Sequence, residues 1–590
     1  MSDESVAPHE NEPQLADLLA PSARPVRPRR VVTAATADTP DSVDVAESVD
    51  SGTDAGGGHD VLTVGDAEVK DTPADTLPIG ARLLQWAVQA GVKYWPVYVA
   101  MGVGLVIRLM AVNVWMPPCT PQEAAARTRV DECYAVGGDA YYYNSMASNL
   151  AAGEGFTILN LYTLENQDKA DHPPGYVIFL ATLDKAGIEK VQEHRTVLAY
   201  LGIVTVGLIG LLGHRLGGKR PRITAGLAAG LAAIYPGFWM SEVLYMSESF
   251  FLPFIALSLL CAYRFWRVPT MRNSVFLGAA AGMAWLTRGE AALILGFMCV
   301  GFVLFFRGVG FWRRVALGAV SCAVCVALMV PWVAYNLNRF PEPILIAGTG
   351  TAFALNSCDD VWYGDAAGFY SFGCLTAYSN QAIAEDGELT DAGLNRVARA
   401  YIRENISYYP SIMGVRVGRL YGVYNVNDTL LRNIAAEGRR ESWVQWQQQL
   451  YYVFLVGLPF GLFSLWRRKL PLTPIVATIA AVGATVAQAF AIYRYRLAAD
   501  TAMLVAASVG FVAAIASGKE WLLSQWALVE HAGPATPTDA IVADATAHIV
   551  EPDPSLEAAT GDGAHSEDDA HAPAGDAVDQ PAVPVAPSSA

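Results

Sequence analysis

Along the chain, apolar runs alternate with short polar breaks. A helix that crosses a bilayer needs about 17–25 mostly apolar residues. Runs near that length are Tyr94–Met116, Arg195–Leu212, Ile223–Met240, Val243–Trp266, Ser274–Thr287, Ala291–Phe306, Val315–Tyr335, Leu450–Trp466, Leu472–Tyr493 and Leu497–Ser517. The pattern predicts an all-α polytopic membrane protein with about 10–13 transmembrane helices. Ser274–Thr287 is short, and Pro174–Leu183 is shorter still, the length of a re-entrant or interfacial piece.

The polar breaks set an orientation. Four of them are basic: Gly213–Arg222, Tyr263–Asn273, Phe306–Arg314 and Leu465–Lys469. Basic residues gather at the cytoplasmic ends of spans. Alternating spans put all four on one side, together with both chain ends. The same alternation puts two large loops, about 117–194 and 336–449, on the outer face. The second loop reads as two parts. Ala347–Cys374 is Gly- and aromatic-rich and reads as irregular. Leu389–Asn425 is helical in pattern, with Thr390 or Asp391 as cap.

Composition sharpens this picture. Of 590 residues, 53% are hydrophobic and 16% charged. The net charge of −16 belongs to the ends. Residues 1–93 hold sixteen acids and seven bases, and residues 518–590 hold thirteen acids and one base. These two segments therefore carry −21 between them and the middle carries +5. Both are poor in aromatic residues and rich in Ala, Pro, Asp and Ser, which predicts disordered cytoplasmic tails. The domain reading is a tail over 1–93, a membrane domain over 94–517 and a tail over 518–590. The basic patch Arg24–Arg30 could touch anionic lipid or stand as a solvated cluster.

The cysteines sort by side. Cys261, Cys299, Cys322 and Cys325 fall inside apolar runs. Cys119 with Cys133, and Cys358 with Cys374, fall in the two outer loops, where disulfides are permitted. Unpaired thiols are the alternative. No spacing offers a zinc site, and no cofactor is called for. A divalent metal is left undecided, with Asp359, Asp360 and Asp365 reading as a solvated loop.

Ionisable groups at the ends of spans usually face a polar cavity or one another. The outer ends collect Asp139 after Gly137-Gly138, the tyrosines Tyr141, Tyr142 and Tyr143, His172 before Pro173-Pro174-Gly175-Tyr176, Ser241, Glu242, Glu248, Arg288 with Glu290, and Arg494 with Arg496. Arginines hold phosphate through a planar fork. A carboxylate can take a proton from an attacking hydroxyl. A lipid-phosphate sugar donor needs both. Arg108, inside the first run, is either paired or extended to the interface.

The stretches "GGDAYYYNSMASNLAAGEGF", "HPPGY", "MSE", "LTRGE", "PWVAYNLNRF" and "YRYRLAAD", in that order, resemble GT-C superfamily membrane glycosyltransferases. They are most like the PMT-type protein O-mannosyltransferases and aminoarabinose transferases, with an actinobacterial look. The resemblance covers roughly Tyr94 to Ser517. It implies transfer of a hexosyl or pentosyl group from a polyprenyl-phosphate sugar to a hydroxyl on a protein, lipid or cell-envelope glycan. It implies inversion, an active site on the outer face of the plasma membrane, and Asp139 as general base. Arg494, Arg496, Arg288 and His172 are the candidates for the donor phosphate and lipid. Tyr142, Tyr143, Tyr176 and Glu248 are the candidates for the sugar or acceptor. The partners are then membrane lipid, the lipid-linked sugar and the hydroxyl acceptor, with no nucleic acid. A lipid flippase or transporter, and a polysaccharide polymerase or ligase, are the competing readings. Gly289 stands where the resemblance leads one to expect proline, and "RLAAD" replaces an Arg-Leu-Pro sequence.

Overall fold

A computed structural model describes residues 79–119, 133–159, 165–340, 349–436 and 439–531. Residues 1–78 and 532–590, which hold Arg24–Arg30 and most of both expected tails, lie outside the described residues. The chain divides into two compact units, Met1–Gly518 and Lys519–Ala590. Of the second, the described part is helical as far as His531. The first described helix starts at Ile79 and the last runs to His531.

The first unit is built from helices. They are α1 (Ile79–Met110), α2 (Asp139–Ala152), α3 (Gly175–Lys185), α4 (Val191–Leu216), α5 (Pro221–Ile234), α6 (Pro236–Val243), α7 (Glu248–Arg267), α8 (Met271–Trp285), α9 (Glu290–Phe305) and α10 (Phe311–Leu337). Then come α11 (Thr349–Asn356), α12 (Asp359–Trp362), α13 (Phe372–Asp386), α14 (Asp391–Glu404), α15 (Tyr409–Leu420), α16 (Val426–Ala436), α17 (Glu441–Arg467), α18 (Thr473–Gln488) and α19 (Leu497–His531). A small antiparallel hairpin pairs β1 (Thr157–Leu159) with β2 (Asn166–Asp168), Thr157 opposite Asp168.

Among the described residues six helices are long and apolar enough to cross a membrane, or seven with the bent pair α5 and α6 taken as one span. The bend of 44° falls at Tyr235-Pro236. Proline lacks the N–H that would continue the helix and drives the residue before it to extended backbone. Tyr235 accordingly has ψ 113°. The remaining apolar runs of the sequence form α8, α9 and α18, with 15, 16 and 16 residues. At 1.5 Å per residue such helices reach about 24 Å, short of a hydrocarbon core of about 30 Å.

The main core lies among these helices, where small residues let backbones approach. A Cβ at Gly210 would lie 2.7 Å from Val97, and one at Gly213 would lie 2.8 Å from Ala228. Arg108 is fully buried and pairs with Glu242, Nε to Oε2 at 2.7 Å. Glu242 thus pairs with Arg108 and not with the arginines that hold the other outer acids. The pair needs Gly202, since a Cβ there would overlap the Glu242 carboxylate.

A second core holds α2, α3 and the α6–α7 link together. A third lies in the late loop around Val361, Trp362, Cys374 and Ile412. Disulfides Cys119–Cys133 and Cys358–Cys374 close their loops, as the sequence allowed. Leu389–Asn425 folds into α14 and α15, and Thr390 caps α14 by accepting from Gly393 N at 3.0 Å. Residues Thr349–Cys374 are not irregular. They hold α11, α12 and the start of α13.

All four basic breaks come to one end of the bundle. Arg215, Arg264, Arg267, Arg272, Arg307 and Lys469 line a single cavity there.

Candidate active site

The opposite end of the bundle gathers charge of both signs. Glu248 opens α7 there, and Arg267 closes it at the basic end. Those 20 residues separate the two ends by about 30 Å.

Asp139 is the first residue of α2. Gly138 before it has φ +55°, a conformation that favours glycine. A carboxylate at a helix start often caps the helix. Here the capping position is Gly138, with no side-chain cap, and Asp139 points elsewhere. Its Oδ2 accepts from Arg494 Nη2 at 2.6 Å.

Arg494 lies in a short 3-10 turn, Tyr493–Arg496, that opens α19. Its Nε lies 3.8 Å from Glu248 Oε1. Arg288, between α8 and α9, donates from Nη1 to that same oxygen at 2.6 Å and from Nε to Glu290 Oε1 at 2.6 Å. Ser247 Oγ meets Arg288 Nη1 at 3.3 Å and Tyr143 OH at 3.2 Å. Three carboxylates and two guanidinium groups therefore form one continuous network.

Local backbone explains how the sequence delivers these groups. Gly175 N donates to Leu286 O at 2.6 Å, and a Cβ there would lie 2.7 Å from that oxygen. Glycine in "HPPGY" lets α3 abut the end of α8, which brings His172 beside Arg288. Tyr245, in the α6–α7 link, has φ 60°. That strained turn is held by His194, whose Nδ1 lies 2.6 Å from the Tyr245 hydroxyl. It carries Ser247 and Glu248 into the network.

His172, Ser247, Arg288, Glu290, Arg494 and Tyr495 line a cavity of about 320 Å³. Tyr495 faces both cations, 5.1 Å from Arg288 and 5.5 Å from Arg494. Ala352 of α11 and Val486 of α18 supply apolar wall.

The electrostatics favour a charged Asp139. Burial disfavours its charge, but Arg494 above all, with His172 and Arg288, outweighs burial and holds the carboxyl at about 2. Burial pulls the His172 imidazole below its usual 6.5, against the attraction of Asp139 and Asp171.

The structure brings Asp139, Arg494, Arg288, Glu248 and His172 together. Tyr142 packs edge-on to His172 with ring centroids 5.0 Å apart. Tyr143 and Tyr176 are buried and pack edge-on to each other with ring centroids 4.9 Å apart, beneath the charged network. Arg496 does not reach the site. It is fully buried, donates to Asp500 Oδ1 at 2.9 Å and to Leu420 O at 2.8 Å, and sits 3.4 Å from the Tyr451 ring. Two residues along a tight turn point to different sides, so Arg494 enters the cavity and Arg496 enters the core. Ser247, Asp171 and Tyr495 were not anticipated. Ser247 and Asp171 flank expected site residues, and Tyr495 stands between two expected arginines. Among the described residues no group of three or more His, Cys, Asp or Glu could hold a metal ion. Asp359 instead accepts from Tyr401 OH at 2.8 Å.

Residues 171–335 match the model of the dolichyl-phosphate-mannose-protein mannosyltransferase family. The match bears out the glycosyltransferase resemblance of the motifs. It contains His172, Tyr176, Glu248 and Arg288 and leaves Asp139 and Arg494 outside. No curated protein matches the chain. Solved structures similar to it include an Archaeoglobus fulgidus oligosaccharyltransferase tethered to an acceptor peptide, at 16% identity and TM-score 0.43, over 71% of this chain and 50% of that one. The oligosaccharyltransferase AglB of the same organism, in complex with an inhibitory peptide and a dolichol-phosphate, is similar at 15% identity and TM-score 0.40, over 78% and 55%. ArnT from Cupriavidus metallidurans, bound to undecaprenyl phosphate, is similar at 18% identity and TM-score 0.32, over 70% and 77%. The chain thus spans about half the length of the two archaeal proteins.

Proposed function

We propose that this protein transfers a sugar from a polyprenyl-phosphate donor to a hydroxyl acceptor at the outer face of the plasma membrane. The observation that supports this most is the contact of Asp139 with Arg494, 355 residues apart in the chain, beside a cavity that also holds Arg288 and His172. A base and two phosphate-binding cations then stand within one side chain's reach. The basic end of the bundle, opposite this site, supports the outward assignment through the positive-inside rule.

In this mechanism the acceptor oxygen attacks the anomeric carbon of the sugar. The carbon–oxygen bond to phosphate breaks, and the phosphate leaves with the electron pair. Asp139 takes the acceptor proton, and attack opposite the leaving group inverts the anomeric centre. Arg494 and Arg288 neutralise the departing charge. A carboxyl held at about 2 is a weak base. Donor phosphate corrects this by drawing Arg494 away, since guanidinium binds phosphate in a fork. Burial then raises the affinity of Asp139 for a proton when the acceptor arrives.

The test is transfer of labelled sugar in proteoliposomes, from a panel of polyprenyl-phosphate sugars to cell-envelope acceptors. Wild type should transfer label and Asp139→Asn should not. Equal transfer by both removes Asp139 as base. Labelled lipid that only changes leaflet supports a flippase instead.

A further inference from the structure

A second, larger cavity lies away from the active site. It lies at the basic end of the bundle, encloses about 2230 Å³, and is built from the ends of α4, α7, α9 and α17 and the starts of α8 and α18. Small-ligand pockets hold about 300–1,000 Å³, so this space exceeds a soluble metabolite. Its lining carries seven Lys and Arg side chains: Lys93, Arg215, Arg264, Arg267, Arg272, Arg307 and Lys469. Among the described residues its lining contains no Asp or Glu. Such a cationic lining calls for an anion.

Two further observations say what kind. Along the same wall Val300, Leu304, Phe305 and Trp466 are 57%, 53%, 70% and 63% exposed. They belong to helices of the apolar bundle, so the cationic end continues into a surface that suits hydrocarbon. Tyr263 also lines the cavity, is 7% exposed, and its hydroxyl is buried without a hydrogen-bond partner. A buried hydroxyl left unpaired is costly, so its place is beside an acceptor oxygen.

We propose that this cavity binds an anionic phospholipid. The headgroup phosphate lies among the arginines and the Tyr263 hydroxyl, and the acyl chains lie along Val300, Leu304, Phe305 and Trp466. Cationic pockets between spans are suited to such headgroups. The site is distinct from the donor site, since α7 separates the two by its length. Its occupant bridges α7 and α9, which begin at Glu248 and Glu290 of the charged network at the other end.

The experiment uses the full chain in neutral detergent and reads the unfolding midpoint against added lipid. Phosphatidylglycerol should raise the midpoint, while phosphatidylcholine and inorganic phosphate should leave it unchanged. An equal rise with phosphatidylcholine would overturn the charge requirement. A rise with inorganic phosphate alone would overturn the lipid. Arg215, Arg267 and Arg272 are exposed and free of catalytic contacts. The triple variant Arg215→Gln/Arg267→Gln/Arg272→Gln should weaken phosphatidylglycerol binding by roughly a hundredfold. An unchanged response would sink the proposal. A photoreactive phosphatidylglycerol gives a second measurement on wild type that needs no variant to fold. It should label peptides holding Val300–Phe306 or Trp466, and labelling confined elsewhere refutes the site.

Discussion

Asp139→Asn should abolish transfer and yet tighten donor-phosphate binding. The reason is the charge count of the network. Asp139, Glu248 and Glu290 surround Arg288 and Arg494, so three acids face two bases. An incoming phosphate adds more negative charge and must compete for Arg494. Asparagine keeps the shape of Asp139 but removes the charge that holds the guanidinium. A hydrogen bond to a charged group contributes about 1.5–3 kcal/mol. The Asp139 side chain is 33% exposed, so water screens part of this and the lower end applies. About 1.4 kcal/mol is a tenfold change in affinity. A polyprenyl phosphate without sugar, titrated calorimetrically into protein in detergent, should therefore bind about tenfold tighter to the variant. Arg494→Gln should bind more weakly than wild type, and adding Asp139→Asn to it should restore nothing. Lowering the pH should not mimic Asp139→Asn in wild type above about pH 3, because the carboxyl titrates near 2. Equal or weaker binding by Asp139→Asn would refute competition for Arg494, and with it the release of the base by donor phosphate.

The remaining predictions address other groups. Loss of the guanidinium in Arg494→Gln leaves burial as the main influence on Asp139, so its pKa should rise from about 2. A base fails below its pKa, so at low donor, where the rate reads the donor-free enzyme, the acid limb of transfer should move above pH 4, where wild type shows none from this group. Arg496→Met leaves Asp500 buried without its cation and should cost about 3–5 kcal/mol of stability, read as a lower unfolding midpoint. Adding Asp500→Leu should recover most of it. Cys119, Cys133, Cys358 and Cys374 should resist maleimide until reductant is added. Cys119→Ser, which opens a loop of sequence separation 14, should lower stability by about 3 kcal/mol.

Most of the site was legible because charge at the end of an apolar run is rare and has few places to go. Asp139, His172, Glu248, Arg288 and Arg494 all carry that mark. What the pattern could not give is the direction each side chain takes within a turn. Arg494 and Arg496 look alike in "YRYRLAAD", yet one lines the cavity and the other is fully buried. A signal for the difference was present, since Asp500 stands four residues after Arg496, the spacing of an ion pair on one helix face. Glu242 was equally ambiguous. It sits beside Ser241 near an outer span end in the sequence, but Gly202 on another helix opens the space that turns it inward to Arg108. Length and hydropathy alone pick out fewer spans than the sequence pattern for a related reason. Helices α8, α9 and α18 are buried against neighbours along part of their surface, so hydropathy marks them as apolar without giving them the length to cross alone. In the late loop, the short helices after Thr349 depend on Trp362 packing and the Cys358–Cys374 bond, contacts between residues far apart that no local period records. The sequence pattern therefore reads which residues must leave hydrocarbon, and tertiary packing decides which of them meet.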